Sequence, residues 1–354
     1  MHGRGQRPSA TQIVCGDGRF CLHHPQHKAI MACSGRFGVL SARHIMVPLV
    51  YSPKYNITMF GLERRHPFDG RKYGRIHDWL IRQGLRKAKD FVKPRPSTHT
   101  GLREIHAPAY LRSLRDRRML ARLLEVPMLR YVPAWLVDWR VLSPMRWATG
   151  GTMLACRLAL EKGLAINLGG GYHHASPGRG GGFCAYADVP LALHALKQEG
   201  RLTSALVVDT DAHQGDGTAQ AIRAWPWAHL LDLFEQDLYP WPKADEEMPV
   251  PLPPRTGGAE YLDALREHLP RTLDRYHPDL VVYNAGSDVL ASDPLSALLL
   301  TADDLAERDL YVATEVRERG VPLAMVLSGG YGPVSWLAHA KSIEGILARF
   351  DHAL

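Results

Sequence analysis

The strongest constraint on this chain is an alternation of unlike segments that runs from about residue 144 to the C-terminus. Short, continuously apolar runs occur at Leu164–Leu168, Ala205–Val208, His229–Phe234, Leu280–Tyr283 and Leu323–Leu327. Amphipathic helical patterns lie around and between them, near 145–162, 187–199, 258–275, 302–319 and 333–349. The runs are too uniformly apolar for a sheet with one wet face. Strand–helix repetition of this kind therefore predicts an α/β protein, a parallel sheet covered by helices on both sides. No Ser/Gly-rich linker divides the region, and the Pro-rich piece Pro249–Pro254 reads as a loop between strand and helix. One domain over about 46–354 is expected, and with hydrophobic residues at 45% the chain has ample material for its core.

Residues 1–45 differ in kind. They hold six Arg or Lys against the single acid Asp17, so five of the seven net positive charges of the chain sit there. The remaining body is close to neutral, which argues against direct nucleic-acid binding by it. Cys15, Cys21, His23, His24, His27 and Cys33 could be read as a zinc knuckle, but no close CxxC pair is present. A disordered basic extension is the expectation, with Met46 a plausible alternative start. The segment lacks the apolar h-region of a secretory signal, so Cys156 and Cys184 read as reduced thiols in a cytoplasmic protein. No run approaches the roughly 18 apolar residues of a membrane span.

Polar residues follow four of the five runs. They are Asn167 to His174 after the first, Asp209 to Gly217 after the second, Asn284 to Asp288 after the fourth, and Ser328 to Tyr331 after the fifth. In an open parallel sheet the carboxyl ends of the strands share one edge, where ligands bind. Loops distant in sequence should therefore meet there.

The residue types define a chemistry. Asp211 and His213 are an i, i+2 pair at a strand end, able to point the same way. With Asp288 they form an Asp–His–Asp set suited to Zn²⁺, Fe²⁺ or Mn²⁺ with coordination left open. A lone DxH would read as a loop cap beside a hydrogen-bonded histidine; the third acid and the nearby histidine pair favour the metal. His173 and His174 can flank one water, and imidazole titrates near working pH. Asp209 and Asp216 are available to orient them. Tyr331, on a Gly-Gly turn, can donate its phenol proton to a developing oxyanion. The Gly169–Gly171 run is no phosphate loop, since no GK[ST] follows it.

These motifs resemble those of the histone deacetylase family, and more narrowly its class IV members. The likeness spans roughly Tyr51 to Phe350. It is strongest at Tyr51–Ile57, His66-Pro67-Phe68-Asp69, Gly169–His174, Gly180–Asp188, Asp209–Gly217, Val282–Asp288 and Ser328–Tyr331. It implies the three-layer α/β/α arginase–deacetylase fold, with a central parallel sheet of about eight strands. It implies metal ligation by Asp211, His213 and Asp288, with His173 and His174 as the tandem histidines and His174 the usual general base and acid. Asp209 and Asp216 take the orienting positions and Tyr331 that of the transition-state donor. Gly182, Phe183, Tyr239 and Leu295 would wall an acyl tunnel. A structural K⁺ is implied at Asp209 and the carbonyls near Asp211, His213 and Leu233, with Asp232 as a further ligand.

Two features depart from the pattern or stand outside it. Trp241-Pro242 follows Tyr239-Pro240 where class IV relatives tend to continue Gly-Asp, and Asp245-Glu246-Glu247 comes shortly after, which leaves the tunnel rim and substrate choice open. Arg117–Arg140 is basic and contains or neighbours Trp135, Trp139 and Trp147. The expectation there is a solvated basic helix over a core aromatic cluster, rather than a rim for acidic or acyl-rich substrates.

The leading functional expectation is a metal-dependent deacylase of N-ε-acyl-lysine in proteins, acting on acetyl or longer fatty groups. The alternative is an amidohydrolase of small acetylated amines such as acetylpolyamines. A non-catalytic acyl-lysine binder fits less well, because all three ligands, both histidines and Tyr331 are present. An arginase-like activity would need a second metal, whose ligands are not evident. The sequence carries no signal of oligomeric state.

Overall fold

All five apolar runs are strands, and the amphipathic patterns around them are helices. The computed structural model describes residues 46–351 apart from Leu62, Arg64 and Arg65, so the 1–45 extension and its Cys/His cluster lie outside the described residues. The strands are β1 (Leu49–Val50), β2 (Phe91–Val92), β3 (Leu164–Asn167), β4 (Ala205–Asp209), β5 (Ala228–Glu235), β6 (Met248–Leu252), β7 (Leu280–Asn284) and β8 (Leu323–Val326). They form one eight-stranded sheet in the order β2-β1-β3-β8-β7-β4-β5-β6, and every pairing is parallel.

The helices are α1 (Lys72–Arg82), the short α2 (His99–Leu102), α3 (Pro108–Ser113), α4 (Arg117–Leu123) and α5 (Ala134–Val137), then α6 (Ser143–Lys162), α7 (Asp188–Gln198), α8 (Asp216–Ile222), α9 (Gly258–Tyr276), α10 (Ala302–Glu318) and α11 (Ser335–Phe350). Strands β3, β4, β7 and β8 are buried at every position. Their alternate residues serve two separate cores. Ile166, Val208, Val281 and Met325 join one with α9, α10 and α11; Ala165, Val207, Val282 and Ala324 join the other with α6, α7 and α8. The two-residue period of a strand thus produces three layers.

Pro249–Pro254, expected as a loop, begins as the edge strand β6. The Gln236 amide donates to the Leu252 carbonyl at 2.9 Å, so the even-numbered residues of β6 bond to β5. Pro249 and Pro251 fall on the alternate positions and are exposed, their missing N–H groups facing away from the sheet, an arrangement in which an edge strand tolerates proline. Strands β1 and β2, two residues each, are too short to leave a periodic trace.

The aromatic residues near Arg117–Arg140 are not a core cluster. Trp135 is 68% exposed and Trp139 56%, and only Trp147 packs against the core. The Arg140 guanidinium lies over Trp139 at 4.0 Å and over Phe60 at 4.8 Å. Among the described residues no helix is long and apolar enough to cross a membrane.

Candidate active site

Four neighbouring strands, β3, β8, β7 and β4, deliver the four polar loops to one edge. The ligand set is brought together: candidate donor atoms of Asp211, His213 and Asp288 all lie within 4.8 Å of one another, and all three residues are buried. His213 Nδ1 lies 3.1 Å from Asp211 Oδ1 and 2.9 Å from Asp288 Oδ2. Burial, then the Asp211 charge, pushes the Asp288 carboxyl up to about 7. Two buried carboxylates around one imidazole are a charge cluster that a cation would relieve. The backbone leaves room for it: a Cβ on Gly329 would fall 2.5 Å from Asp211 Oδ2 and 2.6 Å from Asp288 Oδ2. These residues fit a divalent metal.

Beside this set stand two histidine–carboxylate pairs. His173 Nδ1 is 3.0 Å from Asp209 Oδ2, and His174 Nδ1 is 2.7 Å from Asp216 Oδ1. An ionised carboxylate only accepts, so each Nδ1 carries the proton and each Nε2 turns toward the site. The rings are 4.1 Å apart and their environments differ. Burial lowers the His173 pKa, but the Asp211 and Asp209 charges outweigh it and raise it to about 9. Burial, followed by the His173 charge, lowers His174 to about 3.

Tyr331 lies 6.1 Å from the His213 ring and 5.7 Å from Phe183, centroid to centroid. Burial and the Asp211 and Asp288 charges hold its phenol well above the ordinary range, so the hydroxyl keeps its proton at neutral pH. Phe183 sits between Tyr331 and His66, the latter 4.5 Å away. Gly182 packs against the His174 ring, which any Cβ would overlap, with φ +49°. Tyr239 meets His174 edge-on at 4.9 Å. A cavity of about 290 Å³, mostly apolar, is lined by Gly182, Phe183 and Tyr331 together with apolar residues such as Leu129, Val141 and Met145. Of the four residues expected to wall it, neither Tyr239 nor Leu295 is among its lining residues. The Leu295 amide instead donates to Asp293 Oδ1 at 2.9 Å, in the loop whose Asp293 Oδ2 accepts from the Tyr331 amide at 2.7 Å.

Several supporting residues were not singled out in the sequence. Lys72, at the start of α1, is wholly buried and donates to the Ser328 and Gly329 carbonyls. Asp188 accepts from the Gly171 and Tyr172 amides, both at 2.8 Å, and fixes the glycine loop ahead of His173. Ser328 takes a left-handed φ of +47°, and its hydroxyl bonds to Asp211 Oδ2 at 2.9 Å; such strain is typical of functional turns. The HPFD motif pointed to the Lys72 region, but a lysine on an amphipathic helix ordinarily reads as solvated. Within β5, level with Asp209 at the end of β4, Asp232 is buried with its Oδ1 unpartnered. Burial, then Glu246 and Asp209, holds its carboxyl well above the usual range.

Comparison with known proteins agrees with this architecture. The model of the histone deacetylase domain matches residues 66–345. Histone deacetylase 2 of Arabidopsis thaliana is 38% identical over 303 residues, covering 85% of this chain and 78% of that protein. Acetoin utilization protein AcuC of Bacillus subtilis is 28% identical over 323 residues, covering 84% and 82%. Among solved structures, the HDA15 HD domain superposes with a TM-score of 0.70 at 18% identity, covering 85% of this chain and 88% of that one. Acetylpolyamine aminohydrolase from Burkholderia pseudomallei gives 0.66 at 20% identity, covering 84% and 98%. Sheet order, helical layers and these superpositions define the arginase–deacetylase fold. Within that fold the chain belongs to the histone deacetylase family and is an amide hydrolase.

Proposed function

We propose that the enzyme hydrolyses the N-ε-acyl amide of lysine in proteins, with a tunnel that accepts acyl groups longer than acetyl. The observation that carries this reading is the apolar cavity continuous with Phe183 and Tyr331. At about 290 Å³ it approaches the roughly 300 Å³ at which pockets for drug-sized ligands begin, far more than two carbons need. The class IV likeness of the motifs supports the same direction.

Asp211, His213 and Asp288 would hold Zn²⁺ or Fe²⁺, which when bound supplies Lewis acidity toward the amide carbonyl and acidifies a water. His174 Nε2 takes a proton from the attacking water and returns it to the departing lysine amine. The Tyr331 phenol donates to the carbonyl oxygen as charge develops there. Phe183, Gly182 and Tyr239 position the lysine stem and keep bulk water off His174. Asp232 beside Asp209 is where a structural K⁺ would sit, its unpartnered Oδ1 as ligand.

The test is turnover of matched lysine peptides carrying acetyl, octanoyl and myristoyl groups, and of acetylputrescine, with Zn²⁺ or Fe²⁺ supplied. Faster removal of the long acyl groups than of acetyl supports the reading. Preference for acetylputrescine over every peptide would sink it.

A further inference from the structure

The two histidine-bound carboxylates are backed by different groups. Asp209 Oδ1 accepts from the Asn284 side-chain amide at 2.8 Å and from the Asp211 backbone amide at 3.1 Å, both neutral donors. Asp216 Oδ2, by contrast, accepts from the Arg179 guanidinium at 2.9 Å. The carboxylate end of this pair is 2% exposed and the arginine end 57%, so a surface cation reaches inward to the acid that grips His174.

We propose that Arg179 is a positioning residue for His174. By occupying Oδ2, it fixes the plane of the Asp216 carboxylate, and Oδ1 in turn holds the imidazole with Nδ1 protonated and Nε2 bare toward the site. This rests on the reading of His174 as the proton-transferring histidine. Without Arg179, the second oxygen of a buried carboxylate would face the protein without a charged partner, a costly state that rotation of the carboxyl group would relieve. Such rotation would break the alignment of Oδ1 with Nδ1. A charge-assisted bond holds it in place.

An ordinary surface ion pair contributes little because both ends are mobile and wet. Here one end is buried and the other is built on a fixed turn. The Ser176 amide donates to the Arg179 carbonyl at 2.8 Å. His106 Nδ1 lies 3.1 Å from the Ser176 carbonyl, while its Nε2 accepts from the Ala187 amide at 3.0 Å. The turn is therefore pinned from beneath by a buried side chain, the preorganisation that a supporting residue needs.

The experiment compares Arg179→Gln and Arg179→Lys in the metal-loaded full chain, on whichever acylated substrate the wild type turns over best. In parallel, ¹⁵N-histidine-labelled protein reports the downfield Nδ1–H resonance of His174, assigned by its loss in Asp216→Asn. We expect Arg179→Gln to lower kcat by about 10- to 100-fold, with KM, metal content and Tm little changed, and to broaden or abolish the His174 resonance while that of His173 persists. Arg179→Lys should recover most of both. Wild-type kcat and an unshifted resonance in Arg179→Gln would overturn the proposal. So would equal losses in both variants with a fall in Tm, which would make Arg179 a structural turn residue. Because the resonance needs no turnover, an enzyme inactive on every substrate would defeat the functional reading and still leave Arg179 judged by NMR.

Discussion

Lys72 Nζ donates to the Gly329 carbonyl at 2.7 Å and, with a second proton, to the Ser328 carbonyl at 2.8 Å. A buried ammonium at the start of α1 thereby ties down the turn that carries Tyr331 and flanks Asp211. Burial lowers its pKa to about 8, with Asp288 and Asp211 opposing the fall. Removing it leaves the Ser328 carbonyl without a donor and the Gly329 carbonyl with only the longer bonds from the Ser287 amide and hydroxyl. For Lys72→Met we expect a stability loss of about 1–3 kcal/mol in urea melts, with kcat falling more than KM rises. Unchanged stability and kcat would show that the turn holds itself.

Tyr331→Phe deletes one hydroxyl and leaves the aromatic contacts with Phe183 and Phe68 in place. Loss of a single oxyanion donor costs about 10²–10³ in kcat. We expect a kcat loss of that size, little change in KM, and an unaltered Tm. A KM effect alone would make Tyr331 a substrate-binding group instead.

The His213 imidazole bears on how metal loading depends on pH. Burial lowers its pKa, but the Asp211 and Asp288 contacts outweigh that and raise it to about 10 in the metal-free chain. A raised histidine pKa stabilises the fold fully below the ordinary value of about 6.5, and that contribution fades as pH climbs through about 10. A metal must displace the same proton. Apparent Zn²⁺ affinity should therefore rise with pH between 6 and 9, with proton release detectable by calorimetry in buffers of different ionisation enthalpy. An affinity flat across that range would contradict the ligand assignment of His213. Asp288→Asn should lower bound metal, measured by elemental analysis, to near zero.

Chain-length selectivity should depend on the apolar wall of the cavity. Val141 lines it, so Val141→Phe removes cavity space that a long acyl chain would occupy. We expect octanoyl and myristoyl turnover to fall at least tenfold, about 1.4 kcal/mol in transition-state binding, with acetyl turnover preserved. Equal losses on all three substrates would place the long chain elsewhere.

Much of this architecture was legible because burial leaves a periodic record. Runs such as Ala205–Val208 and Leu280–Tyr283 are apolar at every position because both faces of the sheet are covered, and the polar residues after them had to share an edge. Strand β6 escaped because proline normally argues against a strand, and only the pairing with β5 shows that Pro249 and Pro251 turn their nitrogens outward. Trp135 and Trp139 were expected in a core because tryptophan is usually buried; the short helices here present them to solvent.

The sequence by itself determined the parallel sheet, its flanking helices and the residue types gathered at its edge, since hydrophobic period and strand polarity are local properties of the chain. It could not determine which donor backs which acceptor. That Lys72 is buried under Gly329, that Arg179 rather than an amide completes Asp216, and that Leu295 sits in the Asp293 loop bonded to Tyr331 and not in the cavity wall were decided by tertiary packing. Hydrogen bonds between residues tens to hundreds of positions apart depend on angstrom-scale geometry and on burial, and neither leaves a trace in local sequence pattern.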